Sequence, residues 1–275
     1  MTGVNVSVAR HYGRRSLLDD VEAALQRAGL HGRRLTPADL APLDHFHTGG
    51  VAATRALAHW LALAPLTRVI DVGGGIGGAA RLLAAEFDCR VSVVDLTPEY
   101  CEAGARLTER CGLSDRVSFH VGDGLSLPFP DGNFALAWTQ HSTMNIDDKP
   151  RLYRELRRVL AKQGRYAMHE ILAGTDGPPI YLTPWAETER TSFLATAEKT
   201  KRMLEAARFE IERWEDTTAA SVDWFRNRPA PGASPPALGV HVLLGAKFGA
   251  AFANQQRNLE EGRVSVARAL LRTDM

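Results

Sequence analysis

Disulfide chemistry has little to work with in this chain, which has three cysteines, Cys89, Cys101 and Cys111, among its 275 residues. None forms a CxxC pair, and an odd count argues against a disulfide scaffold. The expected role of all three is that of small buried hydrophobes. Long apolar runs are missing too. No stretch reaches the ~18 residues of a membrane span, and the amino terminus shows no apolar signal core. A soluble, cytoplasmic protein without a membrane partner is therefore expected. Charge of one sign is also scarce, with 33 Lys and Arg against 32 Asp and Glu. Without a long basic run or interleaved basic and aromatic residues, no nucleic-acid partner is expected. No repeat or low-complexity tract interrupts the chain, and the proline-rich break at Pro229–Pro236 is too short for a domain linker.

What is present is 45% hydrophobic residues, enough for a substantial core, and one stretch that organises the rest. Val69–Gly78 reads VIDVGGGIGG. Its branched apolar start predicts a central strand carrying Asp71, and its glycines predict a tight turn that lets backbone approach a ligand. A helix over Ala79–Phe87 then points its unsatisfied N–H groups at whatever sits over the turn. Such turns serve nicotinamide, flavin and S-adenosylmethionine sites, or merely pack a helix on a sheet.

Before this unit, Ser16–Leu30 has helical spacing, Thr36 caps a helix that begins at Pro37, and a third helix is predicted over Val51–Leu63. After it, strands at Arg90–Asp95, Arg116–Val121, Phe134–Thr139 and Gly164–Leu172 alternate with helices at Pro98–Cys111 and Asp147–Leu160. That alternation predicts a parallel sheet with helices on both faces. A long loop over Ala173–Thr191 follows, then a helix at Thr196–Ala207 and a strand at Phe209–Trp214. Residues 217–228 and Leu238–Leu259 are predicted helical, despite Gly239, Gly245 and Gly249 in the second. Arg263–Leu271 suits a last strand.

Three carboxylates occupy strand ends that share one crevice in a doubly wound sheet: Asp71, Asp95 and Asp123. Asp95 lies about 20 residues past the glycines, a spacing that suits a carboxylate holding a ribose. That much is compatible with a nicotinamide-dependent oxidoreductase. Asp123, in GDG, can accept an exocyclic adenine amine, with Gly124 leaving room for the ring and Leu125 and Leu127 placed to sandwich it. Asp131 reads as a turn residue.

As an ordered set, VIDVGGGIGG, VSVVDL, HVGDGLSLPFPDGNFALAW and LRRVLAKQGRY resemble the class I S-adenosylmethionine-dependent methyltransferases over roughly residues 45–215. The flanking HYGRRSLLDDVEAAL, DHFHTGGVAATRALA, LTPEYC, WTQHSTMNIDDK and RNLEEGR are similar to the glycine/sarcosine/dimethylglycine N-methyltransferase group and related small-molecule enzymes of secondary metabolism. Two departures stand out. Gly74 replaces the usual Cys or Ser, and Ala161–Gly164 replaces the usual Pro-Gly-Gly.

The resemblance implies a doubly wound Rossmann-like α/β fold. Its seven-stranded sheet would be mostly parallel with an antiparallel last strand, joined by N-terminal helices and a helical insertion before that strand. Residues 1–64 would form a helical cap that completes the active site, 65–216 the cofactor-binding core, and 217–275 the insertion and last strand. The implied cofactor is S-adenosylmethionine, with S-adenosylhomocysteine as product. Gly73 and Gly75 would pass its methionine part, Asp95 and Leu96 hold the ribose, and Asp123, Gly124 and Leu125 meet the adenine. Gln140 would lie near the sulfonium, and DHFHTGG would close the pocket, with Gly49 or Gly50 in backbone contact. The expected chemistry is methyl transfer to an N or O atom of a small-molecule acceptor.

A nucleophile that must lose a proton needs a base, and His141 is the candidate; anchoring a loop is its other reading. Asn145 is a helix N-cap or turn residue, or a substrate contact. Tyr12, Tyr181 and Trp185 are candidate substrate contacts, the last two able to hold a cation or stack on an aromatic acceptor, or else to form an unselective hydrophobic lid. His45 and His47 are two apart without an evident third ligand, so no metal is expected. His169 and Glu170 fit core or supporting roles. The 217–260 segment suits a cap or an oligomer contact, and the chain a monomer or homodimer.

Overall fold

A computed structural model describes residues 3–13, 16–228 and 236–274. Four helices come first: α1 (Gly3–Tyr12), α2 (Leu17–Arg27), α3 (Pro37–Asp44) and α4 (Gly50–Ala58). The start of α3 is fixed by a reciprocal pair. Thr36 Oγ1 accepts from the Asp39 N–H at 3.2 Å, and Asp39 Oδ2 accepts from the Thr36 N–H at 2.9 Å, which satisfies two otherwise orphaned donors. α4 is shorter than Val51–Leu63, ending seven residues before Pro65.

The core follows as β1 (Arg68–Val72), α5 (Gly78–Phe87), β2 (Arg90–Asp95), α6 (Pro98–Cys111), β3 (Val117–Val121), β4 (Phe134–Gln140), α7 (Lys149–Val159), β5 (Leu160–Ala173), α8 (Ala197–Ala206) and β6 (Phe209–Asp216). The insertion is α9 (Thr218–Arg226), α10 (His241–Leu244) and α11 (Phe248–Glu260), and β7 (Val264–Thr273) closes the chain. The expected helix over Leu238–Leu259 is therefore broken. Gly245 adopts φ 59°, ψ −138°, which a helix cannot continue through, and a single tight turn separates α10 from α11. The proline-rich break falls almost wholly outside the described residues.

The seven strands form one sheet in the order β3-β2-β1-β4-β5-β7-β6. β7 runs antiparallel to both neighbours, and the other pairings are parallel. This is the expected doubly wound α/β architecture. β5 begins four residues earlier than expected. Phe134 pairs with Leu160 but Leu136 with Arg165, so Ala161–Gly164 bulges out of the ladder, with Gln163 at φ 58°. The departure from Pro-Gly-Gly is thus absorbed in a bulge near the amino-terminal end of β5, away from the carboxyl strand ends that matter below.

Two apolar clusters cover the sheet. One joins Val72, Leu125, Leu127 and Leu152 under α7 and α8, and the other joins Val69, Leu83, Leu136 and Trp138 under α5. The N-terminal helices dock through a third cluster, in which Leu17, Val21 and Leu25 of α2 meet Tyr100 and Leu107 of α6. A buried ion pair pins them. Arg81 of α5 and Asp44 of α3 are both inaccessible to solvent. Arg81 Nε donates to Asp44 Oδ2 at 3.1 Å, and Nη1 donates to the Gly104 carbonyl and Thr108 Oγ1 of α6. Three helices are thereby tied by one guanidinium. The three cysteines are free and buried, as expected. No described helix is long and apolar enough to cross a membrane.

Candidate active site

The chain leaves β1 toward one edge of the sheet and returns to β4 on the other side of it. Carboxyl strand ends at such a switch point splay apart and leave a crevice. A cleft of about 1450 Å³, its open mouth included, lies there. Its walls come from α1, the glycine turn, the ends of β2 and β4, the loops after β3 and β5, and the insertion.

The glycine turn builds the floor. Gly73, Gly75 and Gly77 have φ of 71°, 57° and 82°, a region that side chains rarely enter. A Cβ on Gly73 would stand 2.3 Å from that of Ser142, and one on Gly74 would stand 2.6 Å from Asp71 Oδ2. The Gly75 N–H donates to Asp95 Oδ2 and the Thr97 N–H to Oδ1, each at 2.9 Å. Asp95 is thus held between the turn and the start of α6. Asp123 is held likewise: Oδ1 accepts from the Leu125 N–H at 2.9 Å, and Oδ2 from Asn5 Nδ2 of α1 at 2.6 Å. Asp71 is buried beneath the turn with Oδ2 unpartnered. Burial and the neighbouring Asp95 and Glu170 carboxylates raise its pKa to about 7.

The charged residues lining the described cleft are Asp44, Asp71, Asp95, Asp123 and Asp147, with no Lys or Arg among them. Such a lining favours a cationic guest and opposes an anionic one.

Beside the end of β4 sits a cluster of histidines, with His45 and His169 buried and His47 and His141 half-buried. The His47 ring lies 5.4 Å from His45, 5.8 Å from His141 and 6.0 Å from His169, and His141 lies 4.8 Å from His169. Gln140 stitches the cluster together: its Oε1 accepts from Thr54 Oγ1 and Trp138 Nε1, and its Nε2 lies 3.3 Å from His47 Nδ1 and 3.4 Å from His169 Nδ1. Burial pushes His45 down to about 2, His47 to about 4 and His169 to about 3, and holds His141 well below its usual value. All four are neutral near pH 7. His141 has φ 49° and a buried Nε2 with no hydrogen-bond partner. Among the described residues no group of three or more His, Cys, Asp or Glu is arranged to hold a metal ion. Glu170, next to His169, receives the Ser142 and Thr143 N–H groups at 3.1 Å each and so anchors the loop that carries His141.

The cleft is roofed by a knot of long-range hydrogen bonds. Tyr12 Oη of α1 donates to Asn145 Oδ1 at 3.0 Å, and Asn145 Nδ2 donates to the Trp185 and Thr191 carbonyls at 2.8 Å each. His11 Nε2 lies 3.1 Å from the Pro184 carbonyl. The amino terminus, the loop after β4 and the loop after β5 therefore meet over the opening.

Comparisons with known proteins bear on this site. Residues 69–164 match the family described as a methyltransferase domain. Over 97 residues the chain is 45% identical to a probable chloroplastic tocopherol O-methyltransferase of Oryza sativa subsp. japonica, covering 35% of this chain and 27% of that one. It is 28% identical over 156 residues to the sarcosine/dimethylglycine N-methyltransferase of Halorhodospira halochloris, covering 57% and 56%. The match spans no more than about a third of the three plant relatives, at 27%, 35% and 32% of their lengths. In fold, the chain is similar to the geranyl diphosphate C-methyltransferase of Streptomyces coelicolor A3(2), solved with S-adenosyl-L-homocysteine. There the TM-score is 0.73 at 20% identity, over 99% of this chain and 98% of that one. The 4+2 cyclase SpnF shares the fold at TM-score 0.68 and 24% identity, over 93% and 94%.

Within the matched residues 69–164, all the expected cofactor residues line the cleft: Gly73, Gly75, Asp95, Leu96, Asp123, Gly124, Leu125 and Gln140. Tyr12, His141, Asn145 and Trp185 line it too, but Tyr181 does not. Tyr181 packs beside Met144, Trp185 and Phe225 in the cluster behind the wall. Leu127 also turns away, into the core under α7. Packing gives Gly124 a further reason to be glycine, since its Cβ would press on Val72 Cγ1 at 3.0 Å and Leu152 Cδ1 at 3.3 Å. Gly49, at φ 83°, starts α4 with its Cβ position 2.7 Å from Ala53, and neither it nor Gly50 lines the cleft. Asn145 ends a short 3-10 turn, Thr143–Asn145, lines the cleft, and is tied to three partners across the roof.

The sequence pointed to the N-terminal helix and the insertion as pocket-forming segments, but it did not single out Asn5, nor Trp224, Phe225, Leu243, Phe252 and Gln255 of the insertion, as lining residues. The only local signal for the latter was aromatic residues at helical spacing, which is equally the mark of ordinary packing.

Proposed function

We propose that this chain transfers a methyl group from S-adenosylmethionine to an N or O atom of a small-molecule acceptor. The observation that carries the reading is the pair Asp95 and Asp123. Asp95 is oriented by two backbone amides and Asp123 by one backbone amide and the Asn5 side chain, at the switch point of the sheet, within a cleft whose described charges are all carboxylates. The residues present fit the cofactor. The unpartnered Asp71 oxygen and its carboxylate neighbours suit a ligand bearing ammonium and sulfonium charge, and Leu96 and Leu125 offer apolar surface to its rings. The same charges oppose the pyrophosphate of a nicotinamide dinucleotide, so the oxidoreductase reading fits less well.

When bound, S-adenosylmethionine supplies an already activated methyl group, so positioning and exclusion of water account for much of the catalysis. Asp95 would hold the ribose hydroxyls, Asp123 the adenine amine, and Gly73 and Gly75 would admit the methionine portion against backbone. Gln140, fixed by Thr54 and Trp138, would present its carboxamide near the reacting end. His141, kept neutral by burial, would accept the proton that a hydroxyl or ammonium acceptor releases. Tyr12 and Asn145 would close the roof over the acceptor, with Trp185 as one wall. Residues 1–64 would then act as the cap, 65–216 as the cofactor core and 217–275 as the acceptor side.

Relatives named for tocopherol, sterols, glycine derivatives and geranyl diphosphate show that the shared domain does not dictate the acceptor. The test is release of S-adenosylhomocysteine with a panel of small amines, amino acids and phenols. Turnover with any of them supports the reading, and His141→Ala should then lose most of it across pH 6 to 9. Failure of the chain to bind S-adenosylmethionine by calorimetry overturns the reading.

A further inference from the structure

On the inner face of α11, Ala251, Gln255, Asn258 and Leu259 are buried at spacings of four, seven and eight residues. A helix turns such a face toward apolar surroundings, so its two amides need partners. Asn258 has them: its Nδ2 donates to the Ile180 carbonyl at 3.0 Å and its Oδ1 accepts from the Ile180 N–H at 2.7 Å. Asn254, one turn earlier, donates to the Leu182 carbonyl. Gln255 has none. It is 1% exposed, it lines the cleft, and neither its Nε2 nor its Oε1 has a hydrogen-bond partner.

A buried carboxamide with both ends unmatched is destabilising, and a leucine of similar volume would avoid that cost. Its position explains why it is tolerated. The cleft is also lined by Met144, Ile171, Trp185, Trp224, Phe225 and Phe252, which form one apolar cluster with Leu259 of the same helix face and together provide a chamber for an apolar skeleton. Within that wall Gln255 offers one donor and one acceptor to whatever enters. A carboxamide pairs well with an uncharged group that can both give and receive, such as a hydroxyl or an amide. The carboxylates elsewhere in the cleft oppose an anion.

We propose that Gln255 is a specificity-determining contact, and that the acceptor is an uncharged, largely apolar molecule whose hydroxyl or amide group pairs with it. This rests on the methyl-transfer reading and narrows its acceptor class. Discrimination of this kind is strong, because an analogue lacking the polar group leaves the carboxamide unmatched.

The experiment is equilibrium dialysis of naphthalene, 2-naphthol and 2-naphthoate against the full chain saturated with S-adenosylhomocysteine, in the natural sequence and in Gln255→Leu. The expected order in the natural sequence is 2-naphthol above naphthalene, with 2-naphthoate weakest. In Gln255→Leu the preference for 2-naphthol over naphthalene should fall roughly tenfold, while the thermal midpoint stays level or rises. A residue with only a structural role would behave otherwise, lowering the midpoint and leaving the preference unchanged. An unchanged preference, a lowered midpoint, 2-naphthoate binding at least as well as 2-naphthol, or no probe bound at all each overturns the proposal. Calorimetry with S-adenosylhomocysteine separates the two levels. No cofactor binding overturns methyl transfer and this inference together, whereas normal cofactor binding with an unchanged preference overturns the role of Gln255 alone.

Discussion

The hydroxyl of Tyr12 donates a 3.0 Å hydrogen bond to the side-chain carbonyl of Asn145, 133 residues away in sequence. Both residues line the cleft, and the same Asn145 amide holds the loop after β5 through Trp185 and Thr191. One side chain thus joins three segments that no sheet or helix connects. Tyr12→Phe keeps the ring and removes the donor, stranding a nearly buried acceptor at a cost of about 1–3 kcal/mol. The expected results are a lower thermal midpoint and faster proteolytic release of α1. Unchanged proteolysis would show that the roof is held by packing alone.

Asp95 and Asp123 are predicted to govern cofactor affinity by different routes. Asp95→Ala removes the acceptor for two backbone N–H groups as well as the proposed ribose contact, so it should weaken S-adenosylhomocysteine binding and also destabilise the free protein. Asp123→Asn keeps the shape and should weaken binding with little loss of fold. Hydrogen bonds to a charged group contribute about 1.5–3 kcal/mol, which corresponds to roughly 10- to 100-fold in the dissociation constant. Calorimetric titration of both variants checks this, and an unaltered affinity in both would exclude the assigned roles.

Arg81 and Asp44 form a pair without solvent access, and burial raises the Asp44 pKa against the pull of the guanidinium. Removing one partner of such a pair leaves the other charge uncompensated and costs about 3–5 kcal/mol. Arg81→Met should therefore be strongly destabilising in urea unfolding, and a double Arg81→Met, Asp44→Leu variant should recover much of the loss. If the double variant is no better than the single one, the ties from Arg81 to Gly104 and Thr108 outweigh the ion pair.

The histidine cluster gives a signed pH dependence. His47 is held at about 4 in the folded chain, below the ~6.5 of an unfolded histidine. The unfolded chain therefore binds a proton first as pH falls, and the stability contributed by neutral His47 is lost between about pH 6.5 and 4. Asp71 acts in the opposite sense. Its carboxyl, raised to about 7, favours the folded state while protonated, and that contribution is lost as pH rises through about 7. Comparing the natural sequence with His47→Gln cancels the Asp71 contribution. Between pH 7.5 and 5 the natural sequence should lose about 2 kcal/mol more than the variant. Equal slopes in chemical denaturation at both pH values would contradict the assignment.

The sequence by itself was sufficient for the parallel core and for the floor of the site. The strand of VIDVGGGIGG, the helix Pro98–Cys111 and the carboxylates Asp95 and Asp123 were legible because strand period, cap residues and turn glycines are local properties of a few adjacent residues. Tertiary structure alone decided the rest. That Gly124 answers to Val72 and Leu152, that Tyr181 faces away while Gln255 faces in, and that four histidines gather around Gln140 depend on contacts between residues tens to more than a hundred positions apart. The broken helix at Gly245 lies between these cases: the glycine was visible, but its left-handed conformation is set by how the insertion packs over the cleft. Local chemistry specified the floor of the cleft, and only long-range packing specified its roof and its inner wall.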